Sequence, residues 1–111
     1  MEYQIDMSDE AEAELDAAYL YLSGRSLDSA YRWYNGAQKA IPSLSNMPRR
    51  CVLAHENSLY PNNEVRQLLY GNGKTTYRIL FTIFEEDGLV RVLHFRHGAR
   101  QSGRSNQTEE N

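Results

Sequence analysis

The stretch that most constrains the fold covers residues 76–100, near the end of the 111-residue chain. Two runs rich in β-branched and aromatic residues flank Asp87-Gly88, a dipeptide that is typical of tight hairpin turns. This pattern predicts two antiparallel strands joined by a short turn. With Asp87-Gly88 as a two-residue loop, we expect Arg78 to lie directly across from His97.

Alternation along the two strands separates two faces of this hairpin. We expect one face to be core, with Ile79, Phe81, Ile83, Val90 and Val92. The other face mixes apolar and cationic groups, namely Arg78, Leu80, Thr82, Phe84, Arg91, Leu93, Phe95 and His97. A strand that is apolar on both faces is usually covered on both sides. Either a ligand or partner covers the second face, or Arg78 lies flat over its neighbours with its head group in water.

The rest of the chain predicts one strand, two helices and a further strand before the hairpin. Residues 2–7 alternate, while residues 11–22 and 30–44 carry apolar groups at helical spacing. A strand is expected at 65–70, after an irregular connection over 48–63. The fold class is therefore α+β, in the order β-α-α-β-β-β. A two-helix hairpin is expected to pack on one face of a mainly antiparallel sheet.

Composition and charge narrow the classes of function. The single cysteine allows neither an intramolecular disulfide nor a thiolate cluster. The chain has no membrane-spanning apolar run and its start is acidic, so we expect a cytoplasmic protein with one domain over 1–100 and a polar tail over 101–111. Residues 1–16 hold seven acids and no base, while residues 65–104 hold seven bases and three acids. This asymmetry suits an anionic partner, or else two solvated faces of opposite sign.

The candidate chemistry is that of a phosphodiester. The sequence has no phosphate-binding glycine loop, HExxH, GxSxG or CxxC motif, so neither a cofactor nor a metal is expected. Arginine forks bind phosphate oxygens, and a histidine transfers protons near neutral pH. A second proton carrier, Glu56 or His55, is available if the 48–63 connection folds over this face. The expected substrate contacts, each with an alternative structural role, are Arg66, Arg91, Arg49, Arg50 and Glu56.

Several blocks of the sequence resemble the RelE/ParE superfamily of toxins from bacterial type II toxin–antitoxin systems. They are AAYLYLSGRSLDSAYRWYNGAQKAIPSL, MPRRCVLAHE, VRQLLYG, YRILFTI and VRVLHFRHGAR, which together run from about Ala11 to Arg100. The resemblance implies the same β-α-α-β-β-β fold and a cognate antitoxin that wraps the toxin. It also implies that Arg78 stabilises the scissile phosphate as in ribonuclease members, with His97 as proton carrier and Arg100 as phosphate anchor.

Three functions follow from this resemblance. The expected one is metal-independent endonucleolytic cleavage of mRNA, with or without the ribosome. The second is inhibition of DNA gyrase by binding, without chemistry of its own. The third is a non-toxic member that acts through antitoxin binding. The acidic pI of about 5.6, and Gly98-Ala99 in a region where some ribonuclease members carry lysines, keep the second and third functions open.

Overall fold

The structure, a computed structural model, describes residues 2–98 and has the predicted α+β architecture. Its helices and strands are β1 (Gln4–Met7), α1 (Asp9–Ser23), α2 (Leu27–Ala40), β2 (Val65–Tyr70), β3 (Tyr77–Phe84) and β4 (Leu89–His97). The sheet order is β1-β4-β3-β2, in which β1 runs parallel to β4 and the other pairs are antiparallel. Within residues 2–98, no helix is long and apolar enough to cross a membrane.

Side-chain caps and a proline set the ends of the two helices. The Ser8 hydroxyl accepts a hydrogen bond from the Ala11 amide at 3.0 Å and donates to the Leu93 carbonyl at 2.9 Å. This one side chain therefore satisfies a free amide of α1 and ties the start of the helix to β4. Ser26 caps α2 in the same way. Pro42 opens the 3-10 turn that follows α2, because its ring removes a helical N–H.

The main core lies between the helices and one face of the sheet. It is built from buried residues of both layers, including Leu15, Trp33, Ala37, Leu44, Ile79, Phe81, Val90, Val92 and Phe95. The Trp33 indole donates a hydrogen bond to the Thr75 carbonyl at 3.1 Å, and the Tyr70 hydroxyl donates to the Trp33 carbonyl at 2.7 Å. These bonds fasten α2 to the β2–β3 end of the sheet. Gly36 makes room for the Tyr70 hydroxyl against α2.

The turn between β3 and β4 differs from the prediction. It is a four-residue loop in which Glu85–Asp87 form a 3-10 turn and Gly88 adopts a left-handed conformation with φ of 59°. Glycine tolerates this conformation because it has no Cβ. Phe84 consequently pairs with Leu89. The predicted two-residue turn at Asp87-Gly88 is wrong, and the register derived from it is wrong as well.

A β-bulge in β4 adds a second departure from the predicted register. Phe81 pairs with Val92 and Leu80 pairs with His94, so Leu93 is an extra residue on the bulged strand. Because side chains alternate with a period of two, one extra residue exchanges the faces of everything beyond it.

The bulge determines where the end of β4 places its side chains. Tyr77 pairs with His97, and Arg78 pairs with Arg96. Phe95 and His97 therefore lie on the helix side, instead of sharing a face with Arg78 as predicted. The expected alignment of Arg78 with His97 is wrong.

Beyond the end of β1, a side chain occupies the open edge of β4. The Glu14 carboxylate of α1 accepts a hydrogen bond from the Phe95 amide at 2.9 Å and lies 3.2 Å from Nδ1 of His94. The carboxylate satisfies a backbone donor that no strand reaches. His94 thus has a local structural partner.

Candidate functional site

The candidate site lies on the face of the sheet opposite the two helices, which we call the loop face. Leu80 and Val65 are buried there beneath Ala54 and Tyr60, from the connection before β2, and Leu93 of β4 packs against the same cluster. The cover over this face is therefore the protein's own chain. A 3-10 turn at His55–Leu59 lies within this cover, and we call it the 55–59 turn.

Arg78 is the central charged group of the loop face and is only 1% exposed. Its two terminal nitrogens donate to the two oxygens of the Glu56 carboxylate at 3.1 and 2.7 Å. One of them also donates to the Gln67 side-chain oxygen at 3.0 Å. The 48–63 connection thus folds over this face, as a role for Glu56 requires. The expectation that the Arg78 head group lies in water is wrong, because Glu56 and Gln67 take the place of water.

The charges around Glu56 keep it ionised. The hydrogen bond from Arg78 lowers the pKa of the Glu56 carboxyl, against the effect of partial burial, and the positive charge of Arg96 acts in the same direction as Arg78. Arg78 and Glu56 therefore form a closed ion pair of zero net charge. The Nε–H of Arg78 is buried and finds no acceptor among residues 2–98.

His97 lies at the end of β4, on the helix side. Its ring packs edge-on against Tyr77 with centroids 5.1 Å apart, and its Nε2 is 2.8 Å from the Lys74 carbonyl oxygen. Because a carbonyl only accepts, Nε2 carries the proton in this contact. A hollow of about 470 Å³ at this end of the sheet is lined by both His97 and Arg78. The two side chains thus border one space, although they are not opposed in the strand ladder.

Two predicted substrate contacts have their own partners away from Arg78. Arg66 pairs with Phe81 in the ladder, which places it on the helix side, and it donates to the Cys51 carbonyl at 2.7 Å. Arg91 lies on the loop face but donates to Asp6 of β1 at 2.7 Å.

The remaining predicted arginines are also separate from Arg78. Arg49 bonds to Glu85 at 2.6 Å, beyond the far end of β3 and about 20 Å along the strand from Arg78. Arg50 donates to the Asn46 carbonyl at 2.7 Å. Arg100 lies outside the described residues. Of the predicted residues, the structure brings Glu56 into contact with Arg78 and His97 to the same hollow.

Sequence reasoning missed three residues of this region: Gln67, Lys74 and Arg96. Gln67 is a polar residue in the middle of the apolar run of β2, which is a detectable signal for a buried polar partner. Arg96 is placed across from Arg78 by the bulge, so only the irregular apolar spacing at 92, 93 and 95 indicates its position. Lys74 lies in a short turn and carries no comparable signal.

A two-helix hairpin on one face of a four-stranded sheet, with a buried arginine in the central strand, is the arrangement of a RelE/ParE superfamily toxin. The chain belongs to the family of ParE toxins of type II toxin–antitoxin systems, because the family's sequence profile matches residues 5–102. This match confirms the predicted superfamily. No curated protein sequence matches the chain.

Solved structures of toxin–antitoxin systems share the fold. One is a chain of the chromosomal ParDE system from P. aeruginosa, with a TM-score of 0.65 and 17% identity over 86% of this chain and 95% of that chain. Another is a chain of the RelBE2 toxin–antitoxin complex from Mycobacterium tuberculosis, with a TM-score of 0.49 and 22% identity over 87% of this chain and 99% of that chain.

Proposed function

We propose that this protein is a growth-inhibiting toxin which acts in the cytoplasm by binding DNA gyrase, without chemistry of its own, and which a cognate antitoxin neutralises. Membership of the ParE toxin family supports the toxin role. The antitoxin partner is supported by the P. aeruginosa relative, which is part of a ParDE toxin–antitoxin system.

The observation that carries this proposal is the separation of Arg78 from His97. RNA cleavage by these two residues requires a guanidinium at the phosphate and an imidazole within hydrogen-bond reach of the reacting oxygens. Here the guanidinium is bonded to Glu56 and Gln67, and the imidazole lies on the other side of the sheet against Tyr77. This geometry favours a binding function over a ribonuclease function.

An exposed apolar surface at the tip of the helix hairpin gives a binding function a physical basis. Four large side chains near the α1–α2 link are each between 59% and 68% exposed: Leu20, Tyr21, Leu27 and Tyr31. We call this surface the hairpin patch. Clustered exposed apolar groups often mark protein interaction sites. The hairpin patch is therefore our candidate contact surface for a macromolecular target.

Induced expression followed by parallel mapping of DNA breaks and RNA 5′ ends tests the proposal. We expect DNA breaks while mRNA stays intact, together with inhibition of gyrase supercoiling by the purified protein. Cleaved mRNA without DNA breaks would contradict gyrase binding. Harmless expression in the absence of antitoxin would instead favour a non-toxic member that acts through antitoxin binding.

Cleavage of mRNA is the second candidate, and one observation favours it. Arg78 and His97 line the same hollow, and the Glu56 carboxylate adjoins the guanidinium. In this candidate Arg78 stabilises the phosphate, His97 carries a proton and Arg100 anchors a further phosphate, with the ribosome as a potential partner. Glu56 then supplies the second proton carrier.

The variant His97→Gln tests the second candidate with little disturbance to the fold. Glutamine keeps an N–H donor for the Lys74 carbonyl, which His97 contacts at 2.8 Å. We expect His97→Gln to lose growth arrest and mRNA cleavage together if His97 transfers a proton. Full toxicity of a folded His97→Gln protein would remove His97 from the mechanism.

A further inference from the structure

We propose that the hollow beside Arg78 is a binding site for a phosphate-type oxyanion, such as a phosphate of a nucleic-acid backbone, and that Glu56 keeps it closed by competing for the Arg78 guanidinium. This inference does not depend on whether the toxin targets gyrase or mRNA. It concerns what the site binds and which internal group opposes that binding.

The lining of the hollow is suited to an anion. It includes the cationic side chains of Arg78 and Lys74, the His97 imidazole and the Gln67 amide. No acidic residue contributes to this lining in the described part of the chain. Arginine and lysine are the residues that bind phosphate in proteins, and an arginine fork fits two of its oxygens at once.

Arg78 has a donor that its present partners do not use. Glu56 and Gln67 accept from the two terminal nitrogens, while the buried Nε–H has no acceptor within residues 2–98. A buried unsatisfied donor is unfavourable and calls for a physical explanation. A tetrahedral oxyanion offers more oxygens than a carboxylate, so it can satisfy donors that Glu56 leaves unused.

Glu56 is attached in a way that allows it to leave. The 55–59 turn contains no buried residue, and beside the Glu56 carboxylate its side-chain link to the sheet is Asn57, which accepts from the Val65 amide at 2.8 Å. Movement of this surface turn can therefore withdraw the carboxylate without disturbing the main core. It would leave Arg78 directly across the ladder from Arg96, two neighbouring cations that favour an incoming anion.

Titration of the folded protein with inorganic phosphate at pH 7 tests this proposal, with the Nε–H resonance of Arg78 as the NMR readout. The variant Glu56→Gln keeps the shape and an acceptor but removes the competing charge. We expect it to bind phosphate about tenfold more tightly than the parent protein, within the usual range of coupling between two ligands of one site. The double variant Glu56→Gln, Arg78→Met should lose this gain.

A matched control separates the site from a general effect of net charge. Glu64→Gln removes the same charge from an exposed acid that bonds to Arg66 at 2.8 Å, and it should leave phosphate affinity unchanged. Equal affinity of Glu56→Gln and the parent, or an equal gain in Glu64→Gln, would overturn the proposal. If Glu56→Gln is unfolded, Glu56→Asp keeps the charge while retracting it from Arg78. No gain in that variant would be equally decisive against the proposal.

Discussion

The buried ion pair on the loop face leads to a quantitative prediction for Arg78→Ala. The change removes three hydrogen bonds of 2.7–3.1 Å and leaves Glu56, whose side chain is 15% exposed, without its counter-charge. Removing one partner of a buried pair typically costs about 3–5 kcal/mol. The lower end applies here, because Glu56 belongs to a surface turn and can rotate toward water. We therefore expect a loss of about 3 kcal/mol in the free energy of unfolding.

Arg91→Ala provides the matched control on the same face of the sheet. Arg91 and Asp6 form a 2.7 Å ion pair whose side chains are 43% and 45% exposed. Exposed pairs contribute about 0–1 kcal/mol, because water and salt screen the two charges. The two variants remove the same side chain from neighbouring strands, so the difference between them isolates the effect of burial.

Chemical denaturation followed by circular dichroism measures both variants, and thermal unfolding provides a second scale. For a domain of this size, 1 kcal/mol corresponds to about 4–8 °C in Tm, so Arg78→Ala should lower Tm by more than about 10 °C. Arg91→Ala should lower it by less than about 8 °C. Equal losses in the two variants would refute the argument that burial makes the Arg78–Glu56 pair important for stability.

Three further predictions concern pH, target binding and packing. The folded state lowers the pKa of Glu56 below its ordinary value of 4.5, so its stabilisation is present above that value and lost as pH falls through the lowered one; acid titration of unfolding should show a smaller loss for Glu56→Gln than for the parent. Leu27→Glu in the hairpin patch should weaken gyrase inhibition without lowering Tm, whereas Leu59→Glu, at another exposed position, should keep it; an equal effect of both would argue against the hairpin patch. Gly36→Ala should destabilise the fold by about 1 kcal/mol in denaturation experiments, because the added methyl displaces the Tyr70 hydroxyl and its hydrogen bond; unchanged or increased stability would show that helix propensity prevails there.

Local signals were sufficient to predict the order of elements. Helical spacing and capping residues predict both helices, and Ser8 and Ser26 are caps as expected. Residues 65–70 are predicted as a strand and form β2. These features depend on neighbours in the sequence, where hydrogen-bonding and burial patterns are directly readable. The superfamily follows from the same blocks of sequence.

The register of the final hairpin could not be read from the same signals. Asp87-Gly88 is compatible with several loop lengths, and only the folded chain shows that Glu85–Asp87 form a 3-10 turn before Gly88. The bulge at Leu93 left a faint trace in the sequence. Strict alternation from Val92 would place Phe95 on the loop face, so a large aromatic residue out of phase with the core is evidence for an inserted residue.

The burial of Arg78 changes what a loss of toxicity can mean. An Arg78→Ala protein that fails to arrest growth has lost a guanidinium, but it is also expected to have lost about 3 kcal/mol of stability, which reduces the amount of folded protein in a cell. Glu56→Gln separates these effects, because it leaves the guanidinium in place and removes only the competing charge. If the guanidinium contacts the target, Glu56→Gln should be at least as toxic as the parent while Arg78→Ala is inactive. If the pair is purely structural, the toxicity of both variants should follow their stability.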